Sequence, residues 1–251
     1  MATSVTARKK MVLDMLMEDS RITVSDLAKK FGVTMVTARA DLVALEEEGF
    51  ILRTHGGAMP AFHPKIMERM RLQKDTKALL ASAAAQLIED GDTVIVTAGT
   101  TMALIPKYLL GRRDIHIVTN NTLLLTYARS NPQLRVTLVG GEFRSAEEGM
   151  VGPLALRAIE QFHVAKAFIG VDGASVQQGF TANSVEAADF VHKMADQAED
   201  VIAVADSSKF GKAGFARILP FDKVTALVTD NGLAKEFEET LSNDAVKIYK
   251  V

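Results

Sequence analysis

Cysteine is absent from the sequence, which excludes disulfide bonds, thiolate metal sites and cysteine nucleophiles. The five histidines are scattered without the spacing of metal ligands, so no metal site is expected. They stand at His55, His63, His116, His163 and His192. No run approaches the roughly 20 apolar residues that span a bilayer, and the N-terminal residues lack the apolar run of a signal peptide. These absences favour a cytoplasmic protein.

Nucleotide-binding motifs are also missing. Neither G-x-G-x-x-G after the first predicted strand nor G-x-x-x-x-G-K-[ST] occurs, which disfavours NAD, ATP and GTP as ligands, and no cofactor is expected. An excess of basic charge is lacking too: the formal net charge is −2, and residues 1–60 carry eight Lys/Arg and eight Asp/Glu. Any affinity for nucleic acid must therefore come from how these charges are arranged.

Residues 1–60 have the pattern of a winged helix-turn-helix. Helical spacing of apolar residues predicts helices over Arg8–Glu18 and Val24–Phe31, and a third from a Thr34 cap to about Glu48. A hairpin, or wing, is predicted over Phe50–Met59. In such units the third helix enters the major groove of double-stranded DNA. The residues expected to contact DNA are Thr34, Met35, Val36, Thr37, Arg39, Arg53, His55 and Gly56. A helical appendage that binds protein is the alternative.

Beyond this module the pattern changes twice. Residues 61–73, bounded by Pro60 and containing Pro64, are predicted to be a linker. Residues 74–251 alternate between helix and strand, which predicts a Rossmann-like, mostly parallel α/β domain. The expected strands are Thr93–Val96, Ile115–Val118, Arg135–Val139, Ala167–Val171, Val201–Ala205, Val224–Val228 and Val246–Ile248.

Small polar residues follow five of these strands, where the ligand crevice of an open α/β sheet lies. Gly99-Thr100-Thr101 combines a close backbone approach with the start of a helix predicted over Thr101–Leu110, an arrangement that attracts phosphate. Lys209 could add a positive charge to the same anion. The residues expected to bind the effector are Gly99, Thr100, Thr101, Asn120, Gly140, Gly141, Asp172 and Lys209. Ordinary turn and cap chemistry is the alternative for each loop taken alone.

Acidic groups in the same loops raise the question of catalysis. Asp172 and Glu142, with Lys209, could form the acid/base set of an aldose-phosphate isomerase. The acids could instead bind sugar hydroxyls or cap helices. The DNA-binding module favours the second interpretation, so no catalytic residue is predicted and the protein is not expected to be an enzyme.

Two sets of motifs resemble the DeoR family of bacterial transcriptional repressors, in the family's own order along nearly the whole chain. They are Ile22–Ala28, Thr34-x-x-Thr37-x-Arg39-x-Asp41-Leu42, Leu45-Glu46, Gly49-x-x-x-Arg53-x-His55-Gly56-Gly57-Ala58, Gly99-Thr100-Thr101, Thr119-Asn120, Gly140-Gly141, Gly170-x-Asp172-Gly173, Gly179-x-Thr181 and Asp206-x-Ser208-Lys209-Phe210-Gly211. The family usually has Ile-Arg-Arg-Asp where this chain has Ala38-Arg39-Ala40-Asp41, so one basic residue is lost.

The resemblance implies a helix-turn-helix over about Ile22–Asp41 and a sensor with the fold shared by ribose-phosphate isomerase and CoA transferases. It implies a phosphorylated sugar as effector, operator DNA as partner, and a homo-oligomer, either dimer or tetramer. The expected function is repression of a sugar-catabolism operon. Release from DNA on effector binding is what the family leads us to expect.

Overall fold

The computed structural model describes residues 5–19 and 21–251 of the chain. The chain divides into two compact units between Arg71 and Leu72. The N-terminal unit contains α1 (Val5–Glu18), α2 (Val24–Phe31), α3 (Met35–Glu47), β1 (Ile51–Thr54), β2 (Gly57–Pro60) and α4 (Pro64–Arg71). This order of elements confirms the predicted winged helix-turn-helix, with β1 and β2 as its wing.

Local signals set the ends of the two central helices. Thr23 and Asp26 form a capping box at the start of α2, and Gly32 ends that helix in the left-handed region at φ 61°. The Thr34 side chain accepts a hydrogen bond from the Thr37 amide and so begins α3. The core beneath these helices is aliphatic and fully buried, and includes Leu13, Leu16, Leu27, Leu42, Leu45 and Ile51.

The structure differs from the sequence analysis over residues 61–73. Most of the predicted linker is the helix α4, and its Met67 is buried in the core of the N-terminal unit. The two prolines do not mark an irregular segment: Pro60 ends strand β2 and Pro64 is the first residue of α4. Proline favours the first helical position because its missing N–H is not needed there.

The C-terminal unit is built on a seven-stranded sheet in which every neighbouring pair is parallel. Its strand order is β14-β13-β11-β8-β3-β4-β5. The strands of this unit are β3 (Thr93–Val96), β4 (Ile115–Thr119), β5 (Leu134–Leu138), β6 (Glu142–Arg144), β7 (Gly149–Val151), β8 (Val164–Gly170), β9 (Gly173–Ser175), β10 (Gly179–Ala182), β11 (Ala198–Val204), β12 (Ala216–Leu219), β13 (Ala226–Thr229) and β14 (Lys247–Lys250). All seven strands predicted from apolar runs lie in this sheet.

Helices cover both faces of the sheet. They are α5 (Lys74–Gln86), α6 (Leu124–Ala128), α7 (Pro153–Ile159), α8 (Val185–Ala195) and α9 (Lys235–Asn243). Alternate strand residues such as Ile95 and Leu227 share a buried cluster with residues of α8 and α9. Val94 and Val228, one position along, are equally buried but on the opposite face. Helix α5 contacts β11 and β13 and packs beside the short helix that follows β3.

Two features of the C-terminal unit were not predicted, and one differs from its prediction. Strands β9, β10 and β12 form a separate antiparallel sheet, and β6 and β7 form a hairpin. The α-helix expected over Thr101–Leu110 is wrong, because a 3-10 helix spans Met102–Tyr108. Pro106 lies inside it and lacks the N–H that an α-helical hydrogen bond requires.

Candidate functional sites

The loops predicted to bind an effector follow five consecutive strands of the sheet, in the order β11-β8-β3-β4-β5. We call this continuous edge the rim and define it as residues 97–101, 120–121, 139–141, 171–173 and 205–209. Since all five strands are parallel, their carboxyl ends meet at one edge of the sheet. The structure therefore places every predicted effector residue on the same edge.

Two asparagines hold the central loop of the rim in place. The Asn120 side chain accepts from the Ala98 amide at 2.8 Å and donates to the Met150 carbonyl at 3.0 Å. The Asn121 side chain donates to the carbonyls of Thr97 and Gly99 at 3.2 and 3.1 Å. Both asparagines are buried. Asn120 was predicted to contact the effector; in the structure both ends of its side-chain amide bond to the backbone and position the loop after β3. Asn121 was missed as a site residue.

Gly99 lies at the centre of the rim with φ 141°, a conformation that favours glycine. Its carbonyl accepts from the Ala103 amide at 2.9 Å. Thr100 is buried and Thr101 is partly exposed. A seven-residue 3-10 helix begins at Met102 in place of the predicted ten-residue α-helix, so fewer aligned peptide dipoles point towards an anion at this end. Backbone amides and hydroxyl groups remain as donors for an oxygen-rich ligand.

The adjacent glycines Gly140 and Gly141 have different surroundings. A Cβ at Gly141 would lie 2.6 Å from the Val151 carbonyl oxygen and 3.0 Å from the Ala155 Cβ, so this position must be glycine for packing. A Cβ at Gly140 would meet no heavy atom within 4 Å, and Gly140 is exposed. Gly140 therefore has free space beside its backbone for a ligand at this end of the rim.

Asp172 and Lys209 stand on neighbouring loops at the other end. Asp172 accepts from the Asn183 amide at 3.0 Å, and Lys209 ends a 3-10 helix over Ser207–Lys209. Asp230, after β13, accepts from the amides of Ser207 and Gly232, both at 2.8 Å. Burial raises the pKa of Asp230, but these hydrogen bonds outweigh it, so its pKa lies below the ordinary value. A fixed carboxylate thus anchors the loop that carries Lys209.

The two acids considered for acid/base catalysis both have partners in the structure. Glu142 lies on the β6–β7 hairpin, is exposed, and forms an ion pair with Arg144 at 3.4 Å. Asp172 is partly buried and already accepts a backbone hydrogen bond. These surroundings fit structural and hydrogen-bonding roles better than proton transfer.

The N-terminal half of α3 presents the predicted DNA-contacting side chains to solvent. Val36 is 74% exposed and Met35 38%, and Arg39 is exposed, whereas Ala38 and Leu42 are buried beneath them. Thr37 is partly buried, and its hydroxyl lies 2.9 Å from that of Thr34. This surface combines apolar groups, which suit thymine methyl groups, with one arginine, which suits guanine.

The wing is fixed against the start of α2. The Val24 amide donates to the Gly56 carbonyl at 3.2 Å, and Thr23 forms a β-bridge with Gly57. Gly56 has φ 93°, which lets the chain turn between β1 and β2. Arg53 and His55 on this hairpin are exposed. The wing and α3 are therefore held by the same helix, α2.

Much of the basic charge near the N-terminus is engaged inside the unit. The Arg8 guanidinium binds both carboxylate oxygens of Asp41, with Nη2 at 3.0 Å from Oδ1, and Lys9 lies 3.0 Å from Glu48. Asp41 is buried, and its hydrogen bond raises the pKa of Arg8. These pairs join α1 to α3, so Arg8 positions α3 instead of reaching outward.

Comparisons with known proteins match the N-terminal and C-terminal units to two different family models. Residues 8–61 match the model of the DeoR-like helix-turn-helix domain, and residues 72–231 match that of the DeoR C-terminal sensor domain. The HTH-type transcriptional repressor GlcR of Bacillus subtilis (strain 168) is 34% identical over 241 residues, covering 94% of this chain and 93% of the relative. The lactose phosphotransferase system repressor of Lactococcus lactis subsp. lactis is 29% identical over 243 residues, covering 94% of both chains.

Among solved structures, ribose 5-phosphate isomerase from Plasmodium falciparum has a TM-score of 0.40 and 14% identity, covering 55% of this chain and 53% of that one. Within residues 5–19 and 21–251, no helix has the length and apolar character needed to cross a membrane. The same residues contain no group of three or more His, Cys, Asp or Glu side chains that could hold a metal ion.

Proposed function

The chain belongs to the DeoR family of transcriptional regulators, and on this basis we propose that it represses a sugar-catabolism operon under the control of a phosphorylated sugar. Its proposed partners are double-stranded operator DNA, the sugar phosphate, and further copies of itself in a dimer or tetramer. The proposal includes no cofactor and no catalytic turnover, and it places the protein in the cytoplasm.

The observation that carries the proposal is that one chain has two surfaces whose exposed groups suit different ligands. The exposed N-terminal half of α3, together with Arg53 and His55 on the wing, is the surface proposed to bind DNA. The rim, formed by loops from five neighbouring parallel strands, is the surface proposed to bind the effector. Two named repressors match the chain over nearly its whole length, which supports the joint use of both surfaces.

The mechanism we propose is a population shift between DNA-binding and non-binding arrangements of the oligomer. A sugar phosphate that binds the rim more tightly in one arrangement shifts the equilibrium towards that arrangement. The size of the shift is set by the ratio of the ligand's affinities for the two arrangements. The expected direction is release from the operator. In the rim, Gly99, Thr101 and Gly140 would offer backbone or hydroxyl groups, and Lys209 would offer charge.

The test uses the full chain and DNA from upstream of its own gene in a gel-shift assay. Glucose 6-phosphate, fructose 6-phosphate, fructose 1-phosphate and ribose 5-phosphate are first screened by thermal shift, because a ligand of the native state raises Tm. The expected result is that a sugar phosphate which raises Tm also weakens the DNA complex, while its unphosphorylated sugar does neither. Turnover of a sugar phosphate by the purified protein would contradict the proposal.

Arg39→Ala provides the test of the DNA surface. Loss of a bidentate contact to a base costs about 1–3 kcal/mol, so operator affinity should fall by about 5-fold to 150-fold. Arg129→Ala is the matched control, since it removes one exposed arginine from the C-terminal unit. Equal operator affinities of the two variants would show that Arg39 does not contact DNA.

A further inference from the structure

One charged side chain lies on the otherwise apolar buried face of helix α5. Lys77 is only 8% exposed, and the other buried residues of α5 are Leu80, Ala81, Ala84 and Ala85. These positions recur at the spacing of one helix face, so Lys77 lies on the face that packs against the sheet. Burying an ammonium group is costly unless other polar or charged groups compensate for it.

The path of the chain places Lys77 at the carboxyl edge of the sheet. Helix α5 leads into β3 through Asp92, which accepts from the Lys166 ammonium at 2.8 Å near the starts of β3 and β8. The C-terminal end of α5 is therefore at the amino edge. A helix of 13 residues is about 20 Å long, which is sufficient to cross the sheet. Its first turns, with Lys77, accordingly lie at the opposite edge.

Judged by the strands that α5 contacts, the part of the rim nearest to this edge of the helix is the loop that follows β11. Helix α5 contacts β11 and its neighbour β13, and the loop after β11 carries Asp206 and Lys209. Asp172 follows β8, the next strand. Carboxylates at this end of the rim give the unliganded site negative charge. This negative charge favours the protonated form of a nearby buried lysine.

We infer that Lys77 is a binding residue of the effector site and supplies its buried positive charge to the phosphoryl group of the ligand. This inference rests on the proposed function, because it assigns a residue to the same site. A charge shielded from water interacts more strongly with an anion than one in solvent. Lys77 would therefore contribute more to the affinity for a phosphorylated sugar than an exposed lysine could.

The experiment compares three variants of the full chain by calorimetric titration with a sugar phosphate that binds wild type in the thermal-shift screen. Lys77→Met keeps the length of the side chain and removes its charge. Lys77→Arg keeps the charge. Lys74→Met removes a charge from an exposed position on the same helix and is the matched control.

We expect Lys77→Met to bind the sugar phosphate at least about tenfold more weakly than wild type, and Lys74→Met to bind it with unchanged affinity. Lys77→Arg should recover part of the loss. If Lys77→Met binds the same ligand with the affinity of wild type but has a lower Tm, Lys77 only stabilises the fold. That result would overturn this inference and leave the proposed function standing. If wild type binds none of the four sugar phosphates, the proposed function itself fails, and the inference with it.

Discussion

Gly141 and Gly140 are adjacent in the rim, yet the structure predicts opposite effects when each is replaced by alanine. In Gly141→Ala the new Cβ would lie 2.6 Å from the Val151 carbonyl oxygen and 3.0 Å from the Ala155 Cβ. These separations are roughly 0.5–1 Å shorter than ordinary contacts, and the carbonyl belongs to the backbone, so it cannot rotate away. Overpacking of this kind costs about 2 kcal/mol. The Tm of the C-terminal unit should therefore fall by about 4–8 °C in scanning calorimetry.

The control is Gly140→Ala. Position 140 has free space around a Cβ and lies outside the left-handed region, so alanine fits there. It should leave the folded state intact and stabilise it by up to about 1 kcal/mol, because the unfolded chain loses entropy. A Tm for Gly141→Ala equal to that of Gly140→Ala would refute the packing argument.

The same pair separates folding from ligand binding. If the effector approaches the backbone at Gly140, the methyl group of Gly140→Ala should remove a hydrogen bond and weaken binding by about tenfold without lowering Tm. Titration of this variant with the sugar phosphate that binds wild type measures the effect. An affinity equal to that of wild type would show that the ligand does not approach the chain at this point.

Three further predictions concern single side chains. Arg8→Ala leaves the buried Asp41 carboxylate without its guanidinium, and the N-terminal unit should lose about 3 kcal/mol in urea unfolding; no loss would contradict a positioning role. Burial and the positive charge of Arg135 lower the pKa of His116, so the folded state favours the neutral ring while the unfolded chain takes up a proton near pH 6.5. Stability should therefore fall as the pH drops below about 6.5, and His116→Asn should reduce that slope, measured as the free energy of unfolding at pH 7.5 and 5.5. Lys209→Ala should weaken the response of the DNA complex to the sugar phosphate in a gel shift, and a normal dose response would remove Lys209 from the site.

The central sheet could be predicted because its strands are buried on both faces. Residues Thr93–Val96 and Ile115–Thr119 are almost continuous apolar runs between polar loops, a pattern that marks such strands without tertiary information. The order of the strands could not be predicted, because it depends on which apolar faces pack together. The antiparallel sheet was missed for a related reason. Gly173–Ser175 is a short segment rich in small residues, and it is held by close approach to Thr181 and Lys212.

The sequence predicted which residues form the rim better than it predicted the role of each residue. Turn residues after parallel strands indicate a ligand edge whatever their individual partners are. The partners decide the roles: Asn120 uses both ends of its amide to join the loop after β3 to β7, and Gly141 is required by its packing. Lys77 gave no signal, because a lysine in an alanine-rich helix is typical of a solvated face. The burial of Lys77 in the structure is what distinguishes it from a solvated lysine.

The even balance of charge in the N-terminal unit does not oppose DNA binding, because the structure separates the charges along α3. Arg39 stands in the exposed first half of the helix, whereas Glu46, Glu47 and Glu48 stand at its end. A spacing of about eight residues along a helix is about 12 Å, which exceeds the screening length of about 8–10 Å in physiological salt. The positive dipole end of α3 adds to the attraction of phosphate at the same end. With Asp41 neutralised by Arg8, the half of α3 that would meet DNA carries a net positive charge, although residues 1–60 together carry none.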